Sequence, residues 1–344
     1  MRSPLLDLPG AVPAASPDDA VAAHYGDLYA EQRALAAGRA VVDRSNRPVI
    51  TVSGPDRLSW LNSLSSQKLD DLAPGVWTQT LFLDPQGRLE HHLHLRDDGD
   101  TTWIHVEPGR SEELVAWLEK MKFMLRVEIT DVSAEWAVVS GVPGDDRLIP
   151  RAELAAQGPV AGLWAYEALR IEAHLPRLGF ETDHKTIPHE LGLIETAVHL
   201  KKGCYRGQET VARVHNLGHP PRRLVFLHLD GSVDELPPHG TPVTLGVSTP
   251  LEADPEAAVD GSATPGQIGF IGSSARHHEL GPIALAVVKR TVPIDIDLVA
   301  GHVAAKQEVV VPQDAGRNVQ VDPELRRQAA KMARERSAKR PDLM

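Results

Sequence analysis

The stretch HLKKGCYRGQETVAR, His199–Arg213, holds Cys204, the one cysteine in 344 residues. Lys202 and Arg206 flank it as cations, an arrangement that favours a nucleophilic thiolate over the thiol. Gly203 and Gly207 allow a tight turn and close backbone approach to a ligand. The plain alternative is a small buried side chain beside two surface cations. A Cys/His hydrolase would need a partner base, and no cue singles one out among 16 histidines. A lone thiol excludes an internal disulfide and any thiolate cage built by one chain, and it points to a reducing compartment.

The rest of the chain sets the frame. Its length suggests two or three domains. Hydrophobic residues at 42% and charged residues at 24% fit a globular fold. A net charge of -11 repels nucleic acid on average, so no direct nucleic-acid partner is expected. The start, MRSPLLDLPGAVPAASPDD, lacks the continuous apolar core of a signal peptide. No later run is long enough to span a bilayer, so the expectation is a cytoplasmic protein with no membrane partner.

Along the chain, 18–37 reads as a helix stopped by Gly38, and RPVITVSG (47–54) as a strand. GPDRLSWLNSL (54–64) turns into a helix carrying Leu58, Leu61 and Leu64. WTQTLFLD, RLEHHLHL and TTWIHV are strand candidates in series, the first two joined by the turn DPQG. Ser111 should cap a helix with Leu114, Leu118 and Met121 on its buried stripe, and the strands RVEITDV and WAVVSG follow. Leu163–Leu175 reads as a helix ended by Pro176, with Trp164, Ala168, Ile171 and Leu175 on one side. This alternation favours α+β architecture, and no glycine-rich phosphate loop follows any strand.

Beyond Arg222, short apolar runs spaced by Pro and Gly suggest a small antiparallel barrel. The acidic insert STPLEADPEAAVDGSATPG (248–266) reads as a flexible loop, and the basic run from Glu324 as a solvated or frayed helix.

Other groups capable of chemistry are few. Glu172 lies one position round from the apolar stripe of its helix. Either it pairs with Arg170 or Arg177, or its two oxygens accept adjacent N–H and amino donors of a ring such as a pterin or guanine. In EHHLH, Glu90–His94, residues His92 and His94 share a strand face, which suits two metal ligands. No third ligand is indicated, so no metal site is assigned and a solvated strand face is expected. The loop pair His277–His278 reads the same way.

Several segments together resemble a known family. KGCYRGQE (202–209) is similar to the signature of the YgfZ family, folate-binding relatives of the glycine-cleavage aminomethyltransferase, or T-protein. LRIEAHLPRLGFE (169–181) resembles that superfamily's central helix and turn. GRAVVDRS, LFLDPQGR and GFIGSSARHHELGPIALAVVKR resemble its first-domain and barrel segments, so the likeness runs over about 35–311.

The resemblance implies an α+β, T-protein-like ring: two interleaved ferredoxin-like halves over 18–221, a C-terminal antiparallel β-barrel over 222–315 and a basic tail over 316–344, around a central folate channel. The implied cofactor is tetrahydrofolate. Glu172 matches the glutamate that grips the pterin, and Tyr166 an aromatic residue six positions earlier, although the two lie about 120° apart on an ideal helix. Lys202 and Cys204 match the signature's functional lysine and cysteine, and Lys202 is a candidate to meet an anionic glutamyl tail. Where the aminomethyltransferase carries an aspartate pair, this chain has His91 and His92, and a neutral imidazole is a poor electrostatic partner for a cationic amine.

The implied function is folate binding in support of iron-sulfur client proteins and, through them, tRNA modification. The alternatives are a folate-dependent one-carbon transferase and a non-catalytic adaptor.

Overall fold

In the computed structural model, which describes residues 1–246 and 266–318, two sheets and a closed barrel surround one buried helix. The ribbon β1 (Val12–Pro13) and β2 (Ala22–His24) opens the chain, followed by helix α1 (Leu28–Ala36). The helix expected over 18–37 is thus much shorter. Gly26 takes φ 127°, which L residues rarely adopt, and Asp27 caps the later start by accepting from the Ala30 N–H at 2.9 Å.

Next come β3 (Val41–Asp43), β4 (Val49–Ser53), α2 (Arg57–Leu64), β5 (Trp77–Leu83), β6 (Leu89–Asp97) and β7 (Thr101–His105). Then follow α3 (Ser111–Lys122), β8 (Glu128–Asp131), β9 (Trp136–Ser140), β10 (Asp146–Pro150) and β11 (Val160–Ala161). Ser111 is the first helical residue of α3, with Arg110 at the cap position. The meander read from the sequence forms as expected, within a five-stranded sheet of order β5-β6-β7-β4-β8.

Strand β3 does not join its neighbour β4. It enters a second sheet of order β10-β9-β3-β11, so the two halves are interleaved. The short segment between β3 and β4 therefore crosses from one sheet to the other, and it carries Arg44, Asn46 and Arg47.

Helix α4 (Leu163–Glu172) lies at the centre. Seven of its ten residues are buried, more than a one-sided stripe requires. Leu163, Tyr166 and Leu169 pack in the core that holds Leu35 of α1, while Ala168 and Ile171 pack against barrel residues such as Phe226 and Leu285. Trp164, placed on the buried side by sequence, is half-exposed instead.

Helices α5 (Ile194–Ala197) and α6 (Gln208–Leu217) lead into β12 (Arg222–Leu229), β13 (Pro242–Leu245), β14 (Gly269–His277), β15 (Gly281–Lys289), β16 (Leu298–Ala300) and β17 (Val303–Val309). Among the described residues these six strands close as β12-β15-β14-β13-β16-β17, with β17 returning to pair with β12. A bulge between Ile271 and Ser273 accommodates Gly272, where an added Cβ would sit 2.5 Å from the buried Glu181 Oε1. The acidic insert up to residue 265 and the basic run from Glu324 lie outside the described residues.

The signature loop is fitted onto the β5–β6 turn. Gly207 takes φ 83°, and a Cβ there would fall 2.6 Å from the Asp84 carbonyl oxygen and 2.9 Å from Gly87 Cα. Both contacts are with backbone, which cannot swing aside. Gly207→Ala is therefore expected to destabilise the fold by about 2–4 kcal/mol, read as a lowered urea midpoint with an unchanged slope.

Candidate functional site

A cavity of about 410 Å³ opens where the two sheets meet α4. The crossing segment supplies Arg44, Asn46 and Arg47, β5 supplies Trp77 and Gln79, β6 supplies His92 and His94, and α4 supplies Tyr166 and Glu167. A second cavity of about 420 Å³ lies between α4, the amino-terminal segment and the barrel strand β14, and both cavities share Asp18, Leu163, Glu167 and Arg177.

A chain of buried charges forms the floor of the first cavity. Asp18 pairs with both terminal nitrogens of Arg177 at 2.7 and 2.9 Å, and Arg177 Nε reaches Glu107 at 2.7 Å. Glu107 also accepts from Arg47, whose Nε donates to His105 Nδ1 at 3.0 Å. His105 Nε2 lies 3.0 Å from Asp146, which accepts from Arg44 at 2.8 Å. Arg44 donates on to the Tyr166 hydroxyl at 2.7 Å, and its guanidinium sits over the Tyr166 ring. Despite burial, the facing guanidinium groups hold the Glu107 and Asp146 carboxyls well below the usual range. Every carboxylate lining this cavity is already committed to an arginine: Asp18, Glu107, Asp146, and Glu167, which takes Arg170 at 2.7 Å.

The histidine strand is not the solvated face expected from sequence. His91 and His92 are buried, and both His92 and His94 line the cavity. Burial pushes the His92 imidazole down to about 4, and its Nε2 lies 2.9 Å from Gln79 Oε1. It is neutral at pH 7. His94 stacks on His105 at 5.0 Å, and the ligand atoms of His94, His105 and Asp146 lie within 4.8 Å of one another. The two partners of His94 come from β7 and β10, far away in sequence, so spacing along β6 alone could not reveal them. Arg47 already donates to His105, and Arg44 to Asp146, so the charge of this trio is answered by guanidinium groups.

Of the sequence-derived site residues, Tyr166 reaches the cavity and the other three do not line it. Glu172, expected to grip a pterin, ends α4 with its side chain 45% exposed, lines neither cavity and lies 3.2 Å from His277 Nε2. The His277 Nδ1 accepts from the backbone N–H groups of Glu279 and Leu280, which holds the ring beside the Glu172 carboxylate at the barrel rim. The 120° offset between Tyr166 and Glu172 persists because α4 stays wound through Glu172.

Lys202, expected to meet an anionic tail, is buried, and its Nζ donates to the carbonyls of Asn62, Ser65 and Gln67 at 2.5, 2.6 and 2.8 Å. It satisfies the carbonyl end of α2, so all three of its donors are used. Burial lowers its ammonium to about 8, still charged at pH 7. Cys204 is exposed in the turn before α6 and lines neither cavity. Arg206 is paired with Glu90 at 2.7 Å, so both cations beside the thiol are engaged elsewhere.

Comparison with known proteins now decides the family. The GCVT N-terminal domain family matches residues 21–143. An aminomethyltransferase of Symbiobacterium thermophilum is 34% identical over 287 residues, 64% of this chain and 75% of that protein. The chain belongs to the GCVT-domain family. Within it, this GCVT-domain protein is a YgfZ-type relative of the T-protein. It is 28% identical to the tRNA-modifying protein YgfZ of Edwardsiella ictaluri, over 55% of this chain and 70% of that one. It is also 28% identical to the mitochondrial iron-sulfur cluster assembly factor IBA57 homolog of Mycosarcoma maydis, over 62% of this chain and 66% of the relative's length. The glycine cleavage system aminomethyltransferase T from Bartonella henselae shares the fold, with a TM-score of 0.69 and 17% identity over 92% of this chain and 98% of that one.

Two outcomes test the site's physics. His92, His105 and His189 are all held near 4 by burial, against 6.5 when exposed. Between those values the unfolded chain binds more protons, so stability falls as pH drops from 6.5 toward 4, by at most about 1.4 kcal/mol per pH unit per histidine. Denaturant midpoints across that range read it. Lys202→Met leaves buried carbonyls without donors and should cost about 2–4 kcal/mol of stability, measured by urea unfolding.

Proposed function

We propose that this protein binds tetrahydrofolate in the cavity between the two sheets and α4, and that it supports iron-sulfur proteins and, through them, tRNA modification, with Cys204 as its reactive group. The observation that carries the reading is His92 in the cavity wall, neutral and hydrogen-bonded to Gln79 where the aminomethyltransferase resemblance calls for an acid. A neutral imidazole does not stabilise a cationic aminomethyl group, so the cavity suits binding a folate more than transferring its aminomethyl adduct. Tyr166 and Trp77 offer aromatic walls for a two-ring heterocycle.

The signature loop then has two separate duties. Lys202 fastens it to the end of α2, and Cys204 is left at the surface where a second molecule can reach it. One thiolate cannot hold a cluster alone, so a cluster role requires a thiol-bearing partner. The folate bound in the cavity would be held by this chain's side chains without turnover.

A second reading, a folate-dependent one-carbon transferase, is favoured by the 34% identity to an aminomethyltransferase. It predicts methylene-folate formation from a methylated amine, and the absence of turnover across a panel of such amines counts against it.

Titration calorimetry of the whole chain with tetrahydrofolate tests the main reading, with saturable binding expected and no heat of binding sinking it. Cys204→Ser should leave folate affinity within about twofold, since the thiol lies outside the cavity, yet abolish recovery of iron-sulfur enzyme activity in a strain lacking the protein. Full recovery by the serine variant would remove the thiol from the function.

A further inference from the structure

The second cavity takes no part in the function proposed above. It spans about 420 Å³, within the range of small-molecule sites, and adjoins the first cavity along a common wall of Asp18, Leu163, Glu167 and Arg177. Its other walls are largely apolar, with Leu28 from α1, Trp164 from α4, Phe180 from the turn after it and Leu236 from the approach to β13. Trp164 keeps half of its surface exposed, and the His24 ring 5.1 Å away braces the indole. An aromatic side chain left open in a cavity wall offers a flat ring a surface to pack on.

The charges at this cavity are unequally occupied. Arg177 spends both terminal nitrogens on Asp18 and its Nε on Glu107, and Glu167 holds Arg170. Arg276 of β14 differs. Its backbone carbonyl accepts from the buried Gln32 at 2.7 Å, which ties this end of the strand to α1. Its side chain donates from Nη2 to Asp234 at 2.5 Å, and among the described residues Nε and Nη1 have no partner. With the guanidinium 35% and the carboxylate 97% exposed, that ion pair adds little and yields to an acid held in drier surroundings. One guanidinium balances one carboxylate. A phosphate dianion would ask for a second free lysine or arginine, and none lines the cavity among the described residues.

We infer that the second cavity is a binding site for an aromatic carboxylate, with Trp164 and Phe180 packing on its ring and Arg276 donating to its acid group. Such a group has two sources: the benzoyl-glutamate arm of a folate whose bicyclic ring occupies the first cavity, or a free aromatic acid. The chemistry of recognition is the same for both, so the site stands apart from the folate reading.

Calorimetry of the whole chain with naphthalene-2-carboxylate, against the uncharged naphthalene-2-carboxamide, tests it. The acid should bind saturably and at least about tenfold more tightly than the amide. Arg276→Gln should bring the two affinities to within about threefold, and Trp164→Ala should weaken both by about tenfold, with the folding of each variant checked by its urea midpoint. Repeating the titration on protein saturated with tetrahydrofolate, or with 6-methyltetrahydropterin, which lacks the arm, separates the sources. Loss of naphthoate binding with tetrahydrofolate alone supports the site with the folate arm as occupant, and retention with both supports it with a free acid.

No saturable binding of the acid, equal affinities for acid and amide, or a preference that survives Arg276→Gln overturns the inference. A tryptophan variant that binds both probes unchanged overturns it as well, as does loss of naphthoate binding with the pterin, which would put the bicyclic ring in this cavity. If tetrahydrofolate itself does not bind, the folate reading fails while the naphthoate titration still decides the site. Should the tryptophan variant not fold, Arg276→Gln, which removes only an exposed ion pair, decides alone.

Discussion

The buried relay Asp18–Arg177–Glu107–Arg47–His105–Asp146–Arg44 is the interaction on which the rest of the molecule depends. It draws on the amino-terminal segment, the crossing between β3 and β4, the ends of β7 and β10, and the turn after α4. Apolar clusters join the layers elsewhere, through Ala168 and Ile171 against the barrel and Val49 against Val138, but at the cavity the layers meet across this line of charges. Ion pairs removed from water add little net stability compared with a well-packed apolar core. They are strict about geometry, however, and breaking one leaves an uncompensated charge in a dry place. The junction of two sheets and a helix thereby becomes a fixed cavity and not a collapsible gap.

That rigidity shapes the chemistry available. Every acid in the cavity is answered by a guanidinium, and the His92 imidazole in its wall is neutral, so the floor presents balanced charge. Such a surface suits an uncharged polar ring more than a cationic amine. The separation of cavity from thiol follows the same logic. The ammonium of Lys202 is spent on the carbonyls at the end of α2, and Gly207 lets the loop lie flat on the β5–β6 turn, which leaves Cys204 facing outward. The signature therefore buries its lysine as an anchor and leaves its cysteine exposed.

The sequence carried a good deal of this without help. The meander β5–β7 was legible because its alternating and β-branched runs end in a turn whose residues leave little choice of conformation. The barrel was legible because short apolar runs punctuated by Pro and Gly cannot bury themselves singly. The resemblance of KGCYRGQE and its companion segments led to the family and to the interleaved architecture. Local signals misled where a distant contact took over. The long helix over 18–37 was cut by Gly26 and by the pairing of β2 with β1, and Trp164 was half-exposed because α4 is covered by two different layers.

For the site, residue types in one dimension gave the chemistry and not the partners. Cys204, its uniqueness and its nearby glycines, and the histidine run His91–His92, are properties of the chain itself, since composition and local order determine them. Whether a charged side chain faces a ligand or a neighbour depends on which remote atoms folding places against it. Lys202 found three carbonyls, Glu172 found a barrel histidine, and His94 found His105 and Asp146 from other strands. That Asn46 Oδ1 and Arg47 Nη2 have no partner among the described residues is likewise invisible along the chain, because a hydrogen bond left unmade can be recognised only once every other partner is in place.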